Sequence, residues 1–147
     1  MVAPPQPPAE QLKWTPVLAW RTRLADANFD PGRFDDGEEL QPGVFSLPTA
    51  ELSDDALAFI RCLYDQQVVA GFDWSGWLDE GGRQLAEDPE RLVTASLEEC
   101  RMLLTAHVRA DRFMDGHLLA VLTNGHLLAI LDRIGELTES EAGGGSP

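Results

Sequence analysis

The chain has 147 residues, a length that suits one domain with a single hydrophobic core. Its 25 acidic residues outweigh 11 lysines and arginines, and the resulting net charge of −14 disfavours direct binding to nucleic acid or to anionic membranes. Hydrophobic residues make up 44% of the chain and include four tryptophans and six phenylalanines, which excludes disorder of the whole protein.

Neither a secretory leader nor a membrane segment is recognisable. A signal peptide begins with a basic region followed by an apolar run, and residues 1–5 show neither feature. The most apolar stretch, 118–134, is interrupted by polar and charged residues, so it predicts buried helices and not a membrane span. We therefore expect a cytoplasmic protein that makes no membrane contact.

The first third of the chain is dominated by proline, glycine and acidic residues. Residues 1–12 predict a disordered, proline-rich tail. Thr15, followed by a proline, predicts the N-cap of a first helix that ends near Asn28. Residues 29–50 predict turns and loops, and the alternating pattern at 44–47 allows one short extended segment.

Helix starts are clearer in the rest of the chain. Ser53 and Asp73 are predicted N-caps of a second and a third helix. Ser96–Glu99 has the spacing of a capping box, in which serine and glutamate side chains each bond a free backbone amide, and it predicts a fourth helix. Shorter helices follow, separated by the stop signal Asn124–Gly125.

These elements predict an all-α fold, a compact bundle of five or six short helices. The bundle is expected to form one domain over residues 13–137. Residues 138–147 are polar and rich in glycine, so they predict a second disordered tail.

The segment 102–134 is electrically neutral, with three acidic and three basic residues, so the whole acidic excess lies outside it. Within it, Arg109 and Arg112 share one helical face, and Asp111 and Asp115 lie beside them. Two guanidiniums near a helix N-terminus could bind a carboxylate or a phosphate. The alternative, which we favour because corner ion pairs are common, is that these residues tie a helix–turn–helix corner together.

All three histidines of the chain, His107, His117 and His126, fall in this neutral segment. They are nine or ten residues apart on three predicted helices, whereas metal sites usually contain closely spaced ligand pairs. We therefore predict no metal site and no cofactor, and name these histidines as candidate ligands only if the fold brings them together. The alternative is that His117 and His126 lie at helix starts or at the edge of the core.

Trp74 and Trp77 share one helical face next to Asp73. An aromatic pair beside a carboxylate can bind a sugar, a base or a cation, although large aromatic side chains are more often core. The serines lie in no GxSxG context, so no catalytic residue can be assigned and a non-enzymatic role is favoured.

Two sequence blocks resemble a small bacterial protein family of unknown function. The block Phe72–Trp77 fits the pattern FDWxxW, and the block Leu103–Leu118 fits the pattern LLTxxxRxDRFxxGxL. The resemblance covers roughly residues 50–135. It implies a bacterial, cytosolic, helical domain with no assigned activity, and it supplies no catalytic residues.

Three functions are compatible with the sequence. The leading hypothesis is a non-enzymatic interaction or regulatory domain, whose neutral helical segment 102–134 binds another protein or a second copy of the chain. One alternative is a protein, even an enzyme, that handles a small anionic ligand or a nucleotide through arginine and tryptophan. Another is an acidic nucleic-acid mimic, such as an antitoxin or a counter-defence factor.

Overall fold

The structure is a computed structural model that describes residues 7–35, 37–46, 49–111 and 116–144. A 3-10 turn at Ala9–Gln11 precedes the helices α1 (Thr15–Leu18) and α2 (Trp20–Ala25). The strands are β1 (Gly32–Asp35), β2 (Glu39–Gln41), β3 (Val44–Phe45) and β4 (Thr49–Leu52). The later helices are α3 (Asp54–Asp65), α4 (Trp74–Trp77), α5 (Arg83–Glu87), α6 (Pro89–Leu92), α7 (Leu97–Ala110), α8 (His117–Thr123) and α9 (His126–Gly144).

The fold is mainly helical, but the all-α prediction is wrong for the segment between α2 and α3, which forms two small antiparallel sheets. β1 pairs with β4, and β2 pairs with β3 across a bulge. Within the region 29–50, where turns are predicted, Gly43 has a φ of 82° and lies in the turn that joins β2 to β3. The turn signals therefore connect strands and not only loops, and the extended segment predicted near residues 44–47 begins as β3.

Most predicted helix starts are confirmed. The Ser53 hydroxyl accepts a hydrogen bond from the amide of Ala56, and Ser96 and Glu99 form the reciprocal capping box. The prediction that Thr15 caps the first helix is wrong, because Trp14 occupies the N-cap position. Trp14 is buried, and its indole nitrogen donates to the carbonyl of Ala9 at 2.9 Å, so packing sets this helix start.

The hydrophobic core is built around α7, which contacts α4, α8, α9 and the 3-10 turn. Helices α8 and α9 pack against α7 and against each other, and α9 also contacts α1 and α2. The apolar residues of the neutral segment 102–134 therefore form the centre of the domain. The largest fully buried side chains are Phe59, Leu63, Leu103, Leu104, Leu127, Ile130, Leu131 and Ile134.

Packing extends past the predicted domain bounds of 13–137. Ala9 is completely buried, and α9 continues to Gly144. Residues 1–6 and 145–147, the ends of the two predicted tails, lie outside the described residues.

Within the described ranges, no single helix has both the length and the apolar character needed to cross a bilayer. The segments His117–Thr123 and His126–Glu139 reach that threshold only as a pair, and they are bent by 67° relative to each other.

The side chain of Arg101, on α7, is buried and bonds backbone carbonyls from two distant segments. Its guanidinium donates to the carbonyl of Pro7 at 2.6 Å, of Gln67 at 2.8 Å and of Val68 at 3.2 Å. One turn further on, the Thr105 hydroxyl donates to the Val68 carbonyl and accepts from the amide of Ala70. These bonds fix the chain that leaves α3 and leads to α4.

Replacing Arg101 with Met is expected to lower the free energy of unfolding by about 3 kcal/mol, because three carbonyls lose a charged donor. The control is Arg109→Met on the same helix, where the guanidinium only lies 6.0 Å from the Tyr64 ring. That substitution should cost less than about 1 kcal/mol. Urea unfolding followed by tryptophan fluorescence measures both variants, and equal losses would contradict the role given to Arg101.

Candidate functional site

A cavity of about 750 Å³ lies between the segment that carries α4, α5 and α6 and the ends of α7, α8 and α9. All three histidines line it. The rest of its wall combines apolar side chains with a few polar ones: Trp74, Ser75, Leu78, Arg83, Ala86, Glu87, Pro89, Leu92, Ala106, Ala110, Val121, Asn124, Gly125 and Ala129.

The three imidazoles form one cluster. His107 is in the last turn of α7, while His117 and His126 are the first residues of α8 and α9. The Nδ1 of His107 lies 2.9 Å from the Nε2 of His117, a hydrogen-bond distance. The ring of His126 stands edge-on to that of His107, with ring centroids 4.9 Å apart. The structure thus brings together the histidines that the sequence spacing left apart.

The environment keeps these histidines uncharged. The pKa of His107 falls from 6.5 to about 3, mainly because burial disfavours the imidazolium and further because His126 and His117 lie beside it. Burial also lowers the pKa of His117, although the nearby Asp111 carboxylate opposes the shift. The pKa of His126 is lowered by burial and by His117. At neutral pH the cluster is therefore three neutral imidazoles.

Two nitrogens of the cluster are buried and have no hydrogen-bond partner in the described structure: the Nε2 of His107 and the Nε2 of His126. His107 itself is only 6% exposed, so water does not solvate it freely. An unsatisfied buried polar atom costs about 1–3 kcal/mol. A molecule in the cavity that bonds these nitrogens would recover that cost.

The hydrogen bond between His107 and His117 decides what the free nitrogen of His107 can do. A neutral imidazole has one N–H and one acceptor nitrogen. If His107 donates to His117, its Nε2 is an acceptor; if His107 accepts, its Nε2 carries the hydrogen and donates. The pair can thus match either a donor or an acceptor on a ligand.

Imidazole nitrogens are also common metal ligands. Among the described residues, however, no group of three or more His, Cys, Asp or Glu side chains is arranged to hold a metal ion. The short contact between His107 and His117 fits a shared hydrogen between two ring nitrogens.

The two tryptophans have different positions. Trp74 lines the cavity, whereas Trp77 packs edge-on against Phe72 at a ring distance of 6.1 Å and lies against Gly82, where any side chain would collide with its ring. The start of α4 is fixed by the Asp73 carboxylate, which accepts from the amide of Gly76 at 3.0 Å. Trp77 therefore supports the turn that presents Trp74.

Of the predicted arginine corner, the described residues Arg109 and Asp111 do not line this cavity. Arg109 lies 6.0 Å from the Tyr64 ring. Asp111 follows α7 and accepts a hydrogen bond from the amide of Leu118 at 3.0 Å, so it joins the start of α8 to the end of α7. Arg112 and Asp115 lie outside the described residues.

The cavity carries little net charge. Arg83 and Glu87 are the charged residues among its described lining, and Arg83 also forms an exposed ion pair with Asp79 at 3.5 Å.

Cys100, which is buried on α7, is a poor nucleophile because burial raises the pKa of its thiol to about 12, despite the opposing effect of Arg133.

Sequence reasoning missed the convergence of the histidines and the contribution of Arg83, Glu87 and Asn124 to the cavity. One signal was present: His117 and His126 stand at predicted helix starts, each directly after a short turn. Because α8 has only seven residues, its two ends are separated by about 10 Å. Successive helix ends joined in this way necessarily lie close in space.

Comparison with known proteins gives one match. A family model described as a family of unknown function, DUF6508, matches residues 9–140. No curated protein and no solved structure matches the chain.

The neutral histidines predict a defined dependence of stability on pH. Because their pKa values are lower in the folded state than in the unfolded chain, the unfolded chain binds more protons once the pH falls below about 6.5. The free energy of unfolding should therefore fall as the pH drops from about 7.5 to about 5.5, by up to about 1.4 kcal/mol per pH unit for each histidine.

Urea unfolding across this pH range measures the slope. The variant His107→Phe should show a shallower slope than the parent whatever its absolute stability, since it has one titrating imidazole fewer. Tyr64→Phe, on α3 and away from the cavity lining, is the control and should keep the parental slope. Equal slopes for all three proteins would contradict the burial of a neutral His107.

Proposed function

We propose that this chain, which belongs to the family of unknown function DUF6508, binds a small, uncharged, planar organic molecule in the histidine-lined cavity. The observation that supports this proposal is the pair of buried Nε2 atoms, of His107 and His126, that lack partners in the described structure. Such atoms destabilise a protein unless a ligand or water bonds them.

The size and lining of the cavity support a small organic ligand. Binding sites for such molecules commonly enclose roughly 300–1,000 Å³ and are mainly apolar, with a few polar groups that orient the ligand. The cavity, at about 750 Å³, falls in this range. Its apolar wall includes Leu78, Leu92 and Val121, and its polar groups include the histidines and Asn124.

The electrostatics favour a ligand without charge. Burial opposes protonation of the three histidines, so they give an anion no positive partner at neutral pH. Arg83 and Glu87 contribute opposite charges to the rim. A phosphate or carboxylate would therefore lose hydration without receiving a matching cation from the cluster.

Two features favour a planar, heteroaromatic ligand. Trp74 contributes an aromatic side chain to the cavity lining, and aromatic rings interact favourably with flat, unsaturated ligands. The tautomeric His107–His117 pair can donate or accept, as the edge of a nucleobase or an amide requires. The ligand class we propose is thus an uncharged nucleobase or a similar nitrogen heterocycle.

We propose binding and not turnover. A histidine with a pKa of about 3 is too weak a base to remove a proton efficiently at neutral pH. The anionic-ligand alternative keeps Trp74, but Arg109 contributes nothing to this cavity because it lies against Tyr64.

The binding proposal is tested by titrating the protein with adenine, hypoxanthine, uracil and nicotinamide, and with AMP and inorganic phosphate as anionic probes. At least one uncharged probe is expected to raise the melting temperature and to bind in calorimetry. Trp74→Ala and His126→Phe should each weaken that binding by about tenfold or more, and Tyr64→Phe should leave it unchanged.

Two results would overturn the proposal. Binding of AMP or phosphate alone, with affinity rising as the pH falls, would indicate an anion site with protonated histidines. Histidine-dependent binding of Zn²⁺ or Ni²⁺ without any effect of the uncharged probes would indicate a metal site.

A ligand-free protein whose binding site contains unsatisfied buried polar atoms should become more stable when those atoms are removed. In the ligand-free protein, His126→Phe is expected to leave the free energy of unfolding unchanged or to raise it by about 1 kcal/mol, since it replaces an unpartnered buried nitrogen by an apolar edge. Urea unfolding at neutral pH measures the change. A loss of more than about 2 kcal/mol would show that the imidazole of His126 already has a stabilising partner.

A further inference from the structure

The hairpin β2–β3 carries apolar side chains that the described structure leaves exposed. Leu40 on β2 is 63% exposed, and Val44 and Phe45 on β3 are 49% and 64% exposed. Adjacent residues of a strand point to opposite faces of a sheet, so Val44 and Phe45 are exposed on both faces of the hairpin. In the described part of the chain, these side chains are therefore not packed against the helical core.

An isolated two-stranded hairpin is only marginally stable in water unless one face is covered. Among the described residues, the hairpin is held by the β2–β3 pairing, by the bonds between Glu38 and Ser46, and by the bond from the amide of Gly43 to the Glu39 carboxylate. Three large apolar side chains on so short an element are better suited to a partner than to solvent.

The charge around the hairpin specifies the partner. Residues 34–46, which include the hairpin, contain four acidic residues and no basic residue. Glu38 and Glu39 directly precede Leu40. The same acidity repels a second copy of the chain, a nucleic acid and an anionic lipid surface.

We propose that the hairpin Glu39–Phe45 is a docking surface for a basic polypeptide segment in which lysine or arginine alternates with apolar residues. The apolar residues of that segment cover Leu40, Val44 and Phe45, while its cations face the surrounding carboxylates. A mimic of nucleic acid needs carboxylates alone, so the exposed apolar side chains favour a polypeptide with its own apolar groups.

The probe is a fluorescein-labelled peptide of about twelve residues in which Lys and Leu alternate, matched to a Lys/Ser peptide of the same charge. Fluorescence anisotropy is recorded with the full chain at about 0.05 M and about 0.3 M salt. The Lys/Leu peptide is expected to bind at both salt concentrations, and the Lys/Ser peptide to be released at the higher one, because charge alone is screened.

The double substitution Leu40→Ser, Phe45→Ser should weaken binding of the Lys/Leu peptide by about tenfold or more. The control is Val93→Ser, which removes another apolar side chain that is 63% exposed but lies between α6 and α7. An unchanged melting temperature of the double variant shows that the fold survives. Independently, hydrogen exchange of residues 39–45 should slow when the Lys/Leu peptide is bound to the parent.

Equal binding of the two peptides, insensitive to the double substitution, would overturn the proposal and indicate non-specific attraction to an acidic protein. A concentration-dependent dimer in light scattering that Phe45→Ser abolishes would also overturn it, because a second copy would then be the occupant. These outcomes are independent of ligand binding in the histidine-lined cavity, which the substitutions do not touch.

Discussion

The buried guanidinium of Arg101 holds together parts of the chain that are far apart in sequence. It donates to the carbonyls of Pro7, Gln67 and Val68, and Thr105 on the same helical face bonds Val68 and Ala70. The chain from residue 70 then reaches the Asp73 cap and Trp74 within one turn. The cavity wall thus depends on a polar clamp at the middle of α7, while His107, one and a half turns further along, provides the opposite wall.

The histidine cluster in the cavity contains buried polar atoms that reduce the stability of the folded protein. Burial keeps the imidazoles neutral and leaves two of their nitrogens without partners in the described structure. A core made only of apolar groups would avoid both costs, so the cluster is a local exception to an otherwise well-packed interior. Such exceptions are typical of binding sites, where the missing interaction is supplied by the ligand.

The hairpin β2–β3 and the histidine-lined cavity differ in their charge. The acidic excess lies outside the neutral segment 102–134, and most of the described apolar residues of that segment are buried in the core. The acidic hairpin β2–β3 therefore attracts cations, whereas Arg83 and Glu87 in the described lining of the cavity carry opposite charges. The two proposed sites accordingly differ in chemistry, one for a basic polypeptide and one for an uncharged ring.

The sequence by itself determined the helical character, the caps at Ser53, Asp73 and Ser96, and the neutrality of residues 102–134, because these follow from local spacing and composition. It did not determine the two sheets, since short alternating segments between turns pair only when the fold aligns them. Only the tertiary structure decided that the histidines meet, that Trp74 and not Trp77 lines the cavity, and that Arg101 is buried, because each depends on contacts between residues ten to ninety-four positions apart.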